Sequence, residues 1–204
     1  MNILFWNSYH SFQRSKPPML APYKRLEEST AFIKDINADH VVLLETFEDN
    51  IASPIHPSWN HQHHLYTEGG FLFSSKQEIR NPRLWKEGML RGILQIPLSQ
   101  CSLLVAHIPP SKYAPEQTEL RGFLYSILML IRQNIPLILV CDLNRSSESH
   151  WVQTLLTLGL KLITPQNGTD YVFASPKLAN RISLKIYDDL EHLSDHPPIL
   201  IEMS

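Results

Sequence analysis

The sequence predicts an α/β sandwich, a pair of mixed β-sheets flanked by helices. Three observations point to it. Short β-rich apolar runs recur from one end of the chain to the other, and amphipathic helical patterns fall between some of them. The middle of the chain reads as consecutive strands able to pair as hairpins.

In chain order, strands are expected at Asn2–Trp6, His40–Leu44, Gly70–Phe73, Leu90–Ile96, Ser102–Ile108, Leu137–Cys141, Tyr171–Ala174 and Ile199–Ile201. A helix over Lys24–Ile36 sets Leu26, Ile33 and Ile36 on one face, and a second over Pro115–Gln133 opens on a proline suited to a first turn. A third runs from Glu148 to Leu158. The helices follow the first and fifth strands and Asp142. Prolines gather in connections such as Lys16-Pro17-Pro18 and Ile108-Pro109-Pro110. No repeat of fixed period and no long polar linker interrupts the pattern, so residues 1–204 are expected to form a single domain.

Composition narrows the function classes. With 204 residues, 43% of them hydrophobic and 19% charged, the chain is globular rather than disordered. Eighteen Lys and Arg against 20 Asp and Glu leave a formal charge of -2, which excludes a general basic field for nucleic acid; a polyanion must meet a local patch or a metal. Two cysteines, Cys101 and Cys141, each inside an apolar run, exclude a disulfide framework and suit a reducing compartment. Phe123–Ile131, the longest apolar stretch, is about half of what a membrane span needs. A cytoplasmic protein without membrane partners is expected.

Several strands end on residues that a core would not select, each of a type that binds metal or moves protons. The first ends Phe5-Trp6-Asn7, the second Leu43-Leu44-Glu45, the Leu103–Ala106 run in His107, and Ile138–Cys141 in Asp142-Leu143-Asn144. Asp170 opens the next run and Ser194-Asp195-His196 the last. If the strand continues through Leu143, alternation points Asp142 and Asn144 to one side, where an acceptor and an amide can orient a water. Glu45 and Asp195 are hard oxygen ligands of the kind Mg²⁺ takes. His196 can donate to a phosphoryl oxygen, with a carboxylate such as Asp170 fixing its tautomer.

Taken singly, each residue also has a structural reading. Asp142 with Asn144, or Ser194 with Asp195, can cap a helix; His107 can be an interior histidine, and Asp170 a turn residue after Gly168. In order, however, Trp6-Asn7, Leu43-Leu44-Glu45, Gly69-Gly70, Ala106-His107, Asp142-Leu143-Asn144, Thr169-Asp170-Tyr171 and Ser194-Asp195-His196 resemble the endonuclease/exonuclease/phosphatase superfamily, over nearly the whole chain. The resemblance implies the four-layer α/β/β/α DNase I-like fold. It implies a Mg²⁺-dependent nuclease or phosphodiesterase, with Mn²⁺ as a substitute and DNA or RNA as substrate. It further implies Glu45 as principal metal ligand with Asn7 and Asp195, Asp142 as general base, Asn144 positioning water and phosphate, His196 with its partner Asp170 on the transition state or leaving group, and His107 on a phosphate oxygen.

The chain departs from that pattern at Cys141, where glycine is usual and a bulkier residue is expected to shift the strand end, and at Tyr9, where some relatives carry an acid. Two other functions fit the same fold: a phosphatase acting on a small molecule or lipid headgroup, and a non-catalytic binding module. Ser194, Asp195 and His196 are too close in sequence for a relay triad, which excludes a serine hydrolase. The histidines His56, His61, His63 and His64 lack a zinc-ligand spacing and are expected in a mobile loop. Cys141 is expected to be structural, its thiol pKa raised by burial and by Asp142. Two basic groups, Arg14, Lys16, Lys24 and Arg25, then Lys76, Arg80, Arg83, Lys86 and Arg91, are candidate phosphate patches; Trp59 and Trp85 are candidate stacking platforms. Phe123 and Tyr125, on an apolar helix, are expected in the core.

Overall fold

A computed structural model describes residues 1–8, 16, 19–46, 61–65, 70–86, 89, 91–110, 112, 116–164 and 168–204, with 61–65 and 116–117 described by their backbone alone. In chain order the elements are β1 (Asn2–Asn7), α1 (Pro22–Ile36), β2 (His40–Leu44), β3 (His61–Leu65), β4 (Phe71–Ser75), β5 (Arg83–Trp85), β6 (Ile93–Pro97), β7 (Ser102–His107), α2 (Glu116–Arg132), β8 (Leu137–Asp142), α3 (His150–Thr157), β9 (Lys161–Leu162), β10 (Asp170–Ala174), α4 (Pro176–Ala179), β11 (Ile182–Ile186) and β12 (Ile199–Met203). The chain divides into two compact units, residues 1–78 with 183–204, and residues 79–182.

The first unit carries a six-stranded sheet in the order β11-β12-β1-β2-β4-β3. β1 and β2 are parallel, with Asn7 opposite Leu44, and α1 makes the crossover between them; β12 and β4 flank the pair antiparallel. Residues 3–6 of β1 and all of β2 are buried, the near-continuous apolar run expected of parallel strands covered on both faces. Helix α1 starts on Pro22, whose fixed φ suits the first turn, and stops at Asn37, whose left-handed φ of 51° lets its N–H reach the Ile33 carbonyl at 3.2 Å. Its buried stripe is Arg25, Ser29 and Ile33, so the inward face includes an arginine beside the apolar residues.

The second unit repeats the plan in the order β5-β6-β7-β8-β10-β9. β7 and β8 are parallel, with His107 opposite Asp142, and α2 makes the crossover; β6 and β10 flank the pair antiparallel. Phe123 and Ile127 of α2 pack with Trp151, Val152 and Leu155 of α3 on Leu104, Leu139 and Phe173 of the sheet. The Phe123 and Trp151 ring centroids lie 5.4 Å apart. Tyr125, on the opposite side of α2, is half exposed rather than in the core.

The predicted strands are all present, with small shifts at their ends. The pattern missed β3, β5, β9 and β11, each lying at or next to a sheet edge and too short or too polar to show a period. β3 is the clearest correction: His61, His63 and His64, expected in a loop, form a strand antiparallel to β4, with His63 opposite Phe73. Pairing with an apolar neighbour overrides the weak β-propensity of that segment. His56 lies outside the described residues. No helix among the described residues is long and apolar enough to cross a membrane.

Candidate active site

In both units the predicted polar residues fall at the carboxyl ends of the two parallel strands, where crossover topology leaves a crevice in α/β sheets. Asn7 and Glu45 close β1 and β2 in the first unit; His107 and Asp142 close β7 and β8 in the second. The apolar-to-polar change at these strand ends falls where the sequence suggests, with Glu45 one residue past the end of β2.

In the first unit Asn7 is buried at the end of β1, and the next residue, Ser8, donates both its N–H (3.0 Å) and its hydroxyl (2.7 Å) to the Leu44 carbonyl. That double bond fixes the end of β1 beside Glu45. Glu45 has φ of 55°, a left-handed conformation that costs a non-glycine residue roughly 1 kcal/mol or more. The turn is held from the far side by Gly70, also left-handed at 44°: a Cβ there would sit 1.4 Å from the Thr46 carbonyl oxygen. Only glycine permits this approach, which gives the Gly69-Gly70 signal a physical cause at its second position; Gly69 lies outside the described residues. The segment bearing Asp195 and His196 is tied to the same strand end. The Ser194 hydroxyl donates to the Asn7 carbonyl at 2.7 Å, and Trp6 Nε1 donates to the His196 carbonyl at 2.8 Å. Asp195 Oδ2 accepts from Lys16 Nζ at 2.6 Å. Asn7, Glu45, Asp195 and His196 are thus gathered at one end of one sheet.

In the second unit strand register brings the set together. His107, Asp142 and Asp170 stand opposite one another on β7, β8 and β10. His107 Nε2 lies 3.5 Å from Asp142 Oδ2, with both side chains 1% exposed. Asn144 pins Asp142 twice, its backbone N–H donating to Oδ1 at 2.9 Å and its amide Nδ2 to Oδ2 at 3.2 Å. The same Nδ2 donates to the Ile108 carbonyl at 2.9 Å. The expected convergence of Asp142 and Asn144 therefore exists, but its cause differs. The strand stops at Asp142, and Asn144 turns back through a left-handed φ of 50° instead of continuing the alternation. Helix α3 begins at His150, eight residues on, so Asp142 and Asn144 cap no helix.

Burial, with Asp142 and Asp170 adding to it, pushes the Cys141 thiol well above its usual range, as expected of a structural cysteine. Its side chain is fully buried, and β8 stays in register with both neighbours through Asp142, so the expected shift of the strand end does not occur. Burial likewise raises the Tyr171 phenol, helped by Cys141, Asp170 and Asp142, and keeps it a donor. Its hydroxyl lies 2.9 Å from the Arg145 carbonyl and 2.7 Å from that of Gly168, clamping the turns that carry Asn144 and Asp170.

Three members of the basic groups, Arg25, Arg91 and Lys16, meet candidate site residues or the loops that carry them. Arg25 is fully buried; its Nε donates to the Leu193 carbonyl at 2.5 Å and its Nη2 to the Ser8 carbonyl at 3.0 Å, bracing both loops of the first set. Arg91 places Nη1 against His107 Nε2. A guanidinium only donates, so the facing ring nitrogen accepts. Lys16 sits on Asp195. Other basic residues serve structure: Lys76 donates to the Asn37 carbonyl, and Arg83 covers the Trp85 ring with its guanidinium carbon 3.5 Å from the centroid. Trp85, read as a stacking platform, has that face occupied and its Nε1 bonded to Gln95. Arg14, Tyr9 and Trp59 lie outside the described residues. The signal that could have found Arg25 is its position, since a cation in the first turn opposes the helix dipole and so needs another reason to be there.

No protein-family model matches the chain, and none of the curated proteins is similar to it in sequence. Solved structures are similar. A 3'-5' exonuclease, NExo, from Neisseria meningitidis is 15% identical over 100% of both chains with a TM-score of 0.73. A structure described as the 3' phosphatase NExo bound to product DNA hairpin, from Neisseria, is 15% identical over 100% of this chain and 99% of that one, also at 0.73. An endonuclease/exonuclease/phosphatase family protein from Leptotrichia buccalis is 13% identical over 100% and 99%, at 0.72.

Proposed function

From the endonuclease/exonuclease/phosphatase fold, the DNase I-like fold that the chain shares with these structures, we propose that the protein is a divalent-metal-dependent phosphoesterase, and more narrowly a Mg²⁺-dependent nuclease or phosphodiesterase. The observation that carries the reading is the fixed carboxylate of Asp142, held by two donors of Asn144 in a register row with His107 and Asp170.

Glu45 and Asn7 suit a hard cation. Both offer oxygen, both stand at one strand end, and the neighbouring Thr46 hydroxyl is buried without a hydrogen-bond partner among the described residues. A bound Mg²⁺ would neutralise charge on the phosphoryl group. Asp142 accepts the proton of the attacking water, and Asn144 aligns that water while holding the carboxylate in place. His196 serves the leaving oxygen. His107 is buried with its Nε2 turned to Arg91, so its part is to hold Arg91 beside the Asp142 carboxylate rather than to stand as a free phosphate contact. The NExo structures, one described as an exonuclease and one as a phosphatase bound to DNA, favour a nucleic-acid substrate for this chain.

The test is cleavage of single- and double-stranded DNA, RNA and small phosphoesters with Mg²⁺, Mn²⁺ or EDTA. Polynucleotide cleavage lost in EDTA and in Glu45→Ala is the expected result. Turnover of small esters alone would move the reading to a phosphatase, and no turnover with retained nucleic-acid affinity would make the chain a binding module.

A further inference from the structure

The turn that carries Glu45 holds two unfavourable features side by side. Glu45 is left-handed at φ 55°, and the next residue, Thr46, is 2% exposed with its hydroxyl making no hydrogen bond among the described residues. A buried hydroxyl without a partner costs free energy, as does a left-handed residue other than glycine. The surroundings enforce both. Gly70 is so close that a Cβ there would sit 1.4 Å from the Thr46 carbonyl oxygen, and the Leu44 carbonyl is tied by both donors of Ser8. The turn is therefore held from both sides in the form that keeps Thr46 from water. A second hydroxyl of the first unit, that of Ser74 on β4, is also buried and unbonded among the described residues, but it stands opposite Val41, at the other end of β2 from Glu45.

Resting on the metal reading above, we propose that the Thr46 hydroxyl is the partner of a water carried by the divalent ion on Glu45, which makes Thr46 a positioning residue for the shell of that ion and not a ligand. A hard ion such as Mg²⁺ binds through one or two carboxylates and keeps several waters, whose protons need acceptors. A threonine hydroxyl has two lone pairs and one proton, so it accepts from such a water and keeps a donor of its own. In the metal-free protein the same hydroxyl is buried without a partner, so its cost is offset only when the site is loaded. Groups that act on a metal site from outside the ligands change its affinity by about 10- to 100-fold. Valine at this position would keep the β-branched shape while removing both the cost and the contact.

The experiment measures thermal unfolding of the metal-free whole chain and Mn²⁺ affinity by titration calorimetry, for wild type, Thr46→Val, Thr46→Ser, Ser74→Ala and Glu45→Gln. Thr46→Val should unfold about 2 to 4 °C higher without metal, yet bind Mn²⁺ about tenfold more weakly. Those opposite signs are not expected from a threonine that only shapes the turn. Thr46→Ser keeps the hydroxyl and should bind Mn²⁺ within about threefold of wild type. Ser74→Ala removes a buried hydroxyl away from the turn and should leave Mn²⁺ affinity unchanged. Mn²⁺ affinity of Thr46→Val within about twofold of wild type would overturn the proposal, as would an equal loss in Thr46→Ser or in Ser74→Ala. So would a lower metal-free stability of Thr46→Val, since the hydroxyl would then be bonded before the metal arrives. Glu45→Gln separates the two levels: if it binds Mn²⁺ like wild type, the metal reading itself fails rather than the role of Thr46.

Discussion

The two units solve one problem in different ways. Each has a β-strand, a crossover helix and a parallel strand, flanked by antiparallel partners, and each puts polar residues at the carboxyl ends of the parallel pair. In the second unit the acid is itself the register partner: Asp142 faces His107 across β7 and β8, and Asp170 across β10. In the first unit Leu44 holds that place opposite Asn7, and Glu45 is displaced by one residue onto a left-handed turn. Register alone positions one set. The other needs a glycine beneath the turn and a buried arginine behind the loops. The crossover helices differ in the same sense, since the fourth residue of α1 is buried Arg25 and the fourth of α2 is buried Glu119. An acid suits the first turn of a helix and an arginine does not, so Arg25 is retained for what it binds.

The largest expected effect lies in the register-built set. Asp142→Asn keeps the shape and one acceptor but removes the base, and metal-dependent turnover should fall about 10³-fold, some 4 kcal/mol of barrier. Mn²⁺ affinity measured by calorimetry should stay within a few-fold of wild type. A variant retaining a tenth of its activity would remove Asp142 from the chemistry and leave the second unit with a purely structural row.

Next is the brace of the first unit. Arg25→Met keeps much of the buried stem but leaves the Leu193 and Ser8 carbonyls without their donors, and stability to urea should fall by about 3 kcal/mol. Because both loops carry site residues, Mn²⁺ affinity should fall with it at temperatures where the variant is folded. If stability drops while metal affinity is unchanged, Arg25 supports the fold alone.

Acid should also act on the first unit, through His40. Burial pushes its pKa from 6.5 down to about 4; the N-terminal amine and Lys76 push the same way, and Asp39 opposes them. Between those values the unfolded chain binds a proton that the folded chain does not. His40 therefore contributes stability fully above pH 6.5 and loses it as pH falls through 4, by on the order of 3 kcal/mol at most. Urea midpoints measured from pH 7 to 4.5 should fall, and His40→Gln should flatten that slope.

How far these features can be read from sequence follows from what builds them. The strands that pair through apolar runs were legible, and with them the positions of Asn7, Glu45, His107, Asp142 and Asp170, because a change from apolar to polar at a strand end survives in the letters. Arg25, Lys16 and Arg91 were legible only as charge. Their partners are the Leu193 and Ser8 carbonyls, the Asp195 carboxylate and the His107 ring, each set by tertiary approach and not by spacing along the chain. The β3 strand was hidden because its pairing with β4, not its own composition, makes it a strand.

The smallest effect tests the cause of the Asp142–Asn144 convergence. Alternation along a continuing strand would need the amide but no special backbone; the observed left-handed turn at φ 50° needs both. Asn144→Gly loses the amide and suits the turn, whereas Asn144→Ala loses the amide and is strained, so alanine should be less stable than glycine by about 1 kcal/mol. Turnover separates the two contributions. If the amide aligns the water, both variants lose activity alike, by about 10²-fold. If the turn alone matters, glycine retains activity that alanine loses, because its backbone N–H still reaches Asp142 Oδ1. Equal stability of the two variants would return the convergence to the pleat of a strand and erase this contrast between the units.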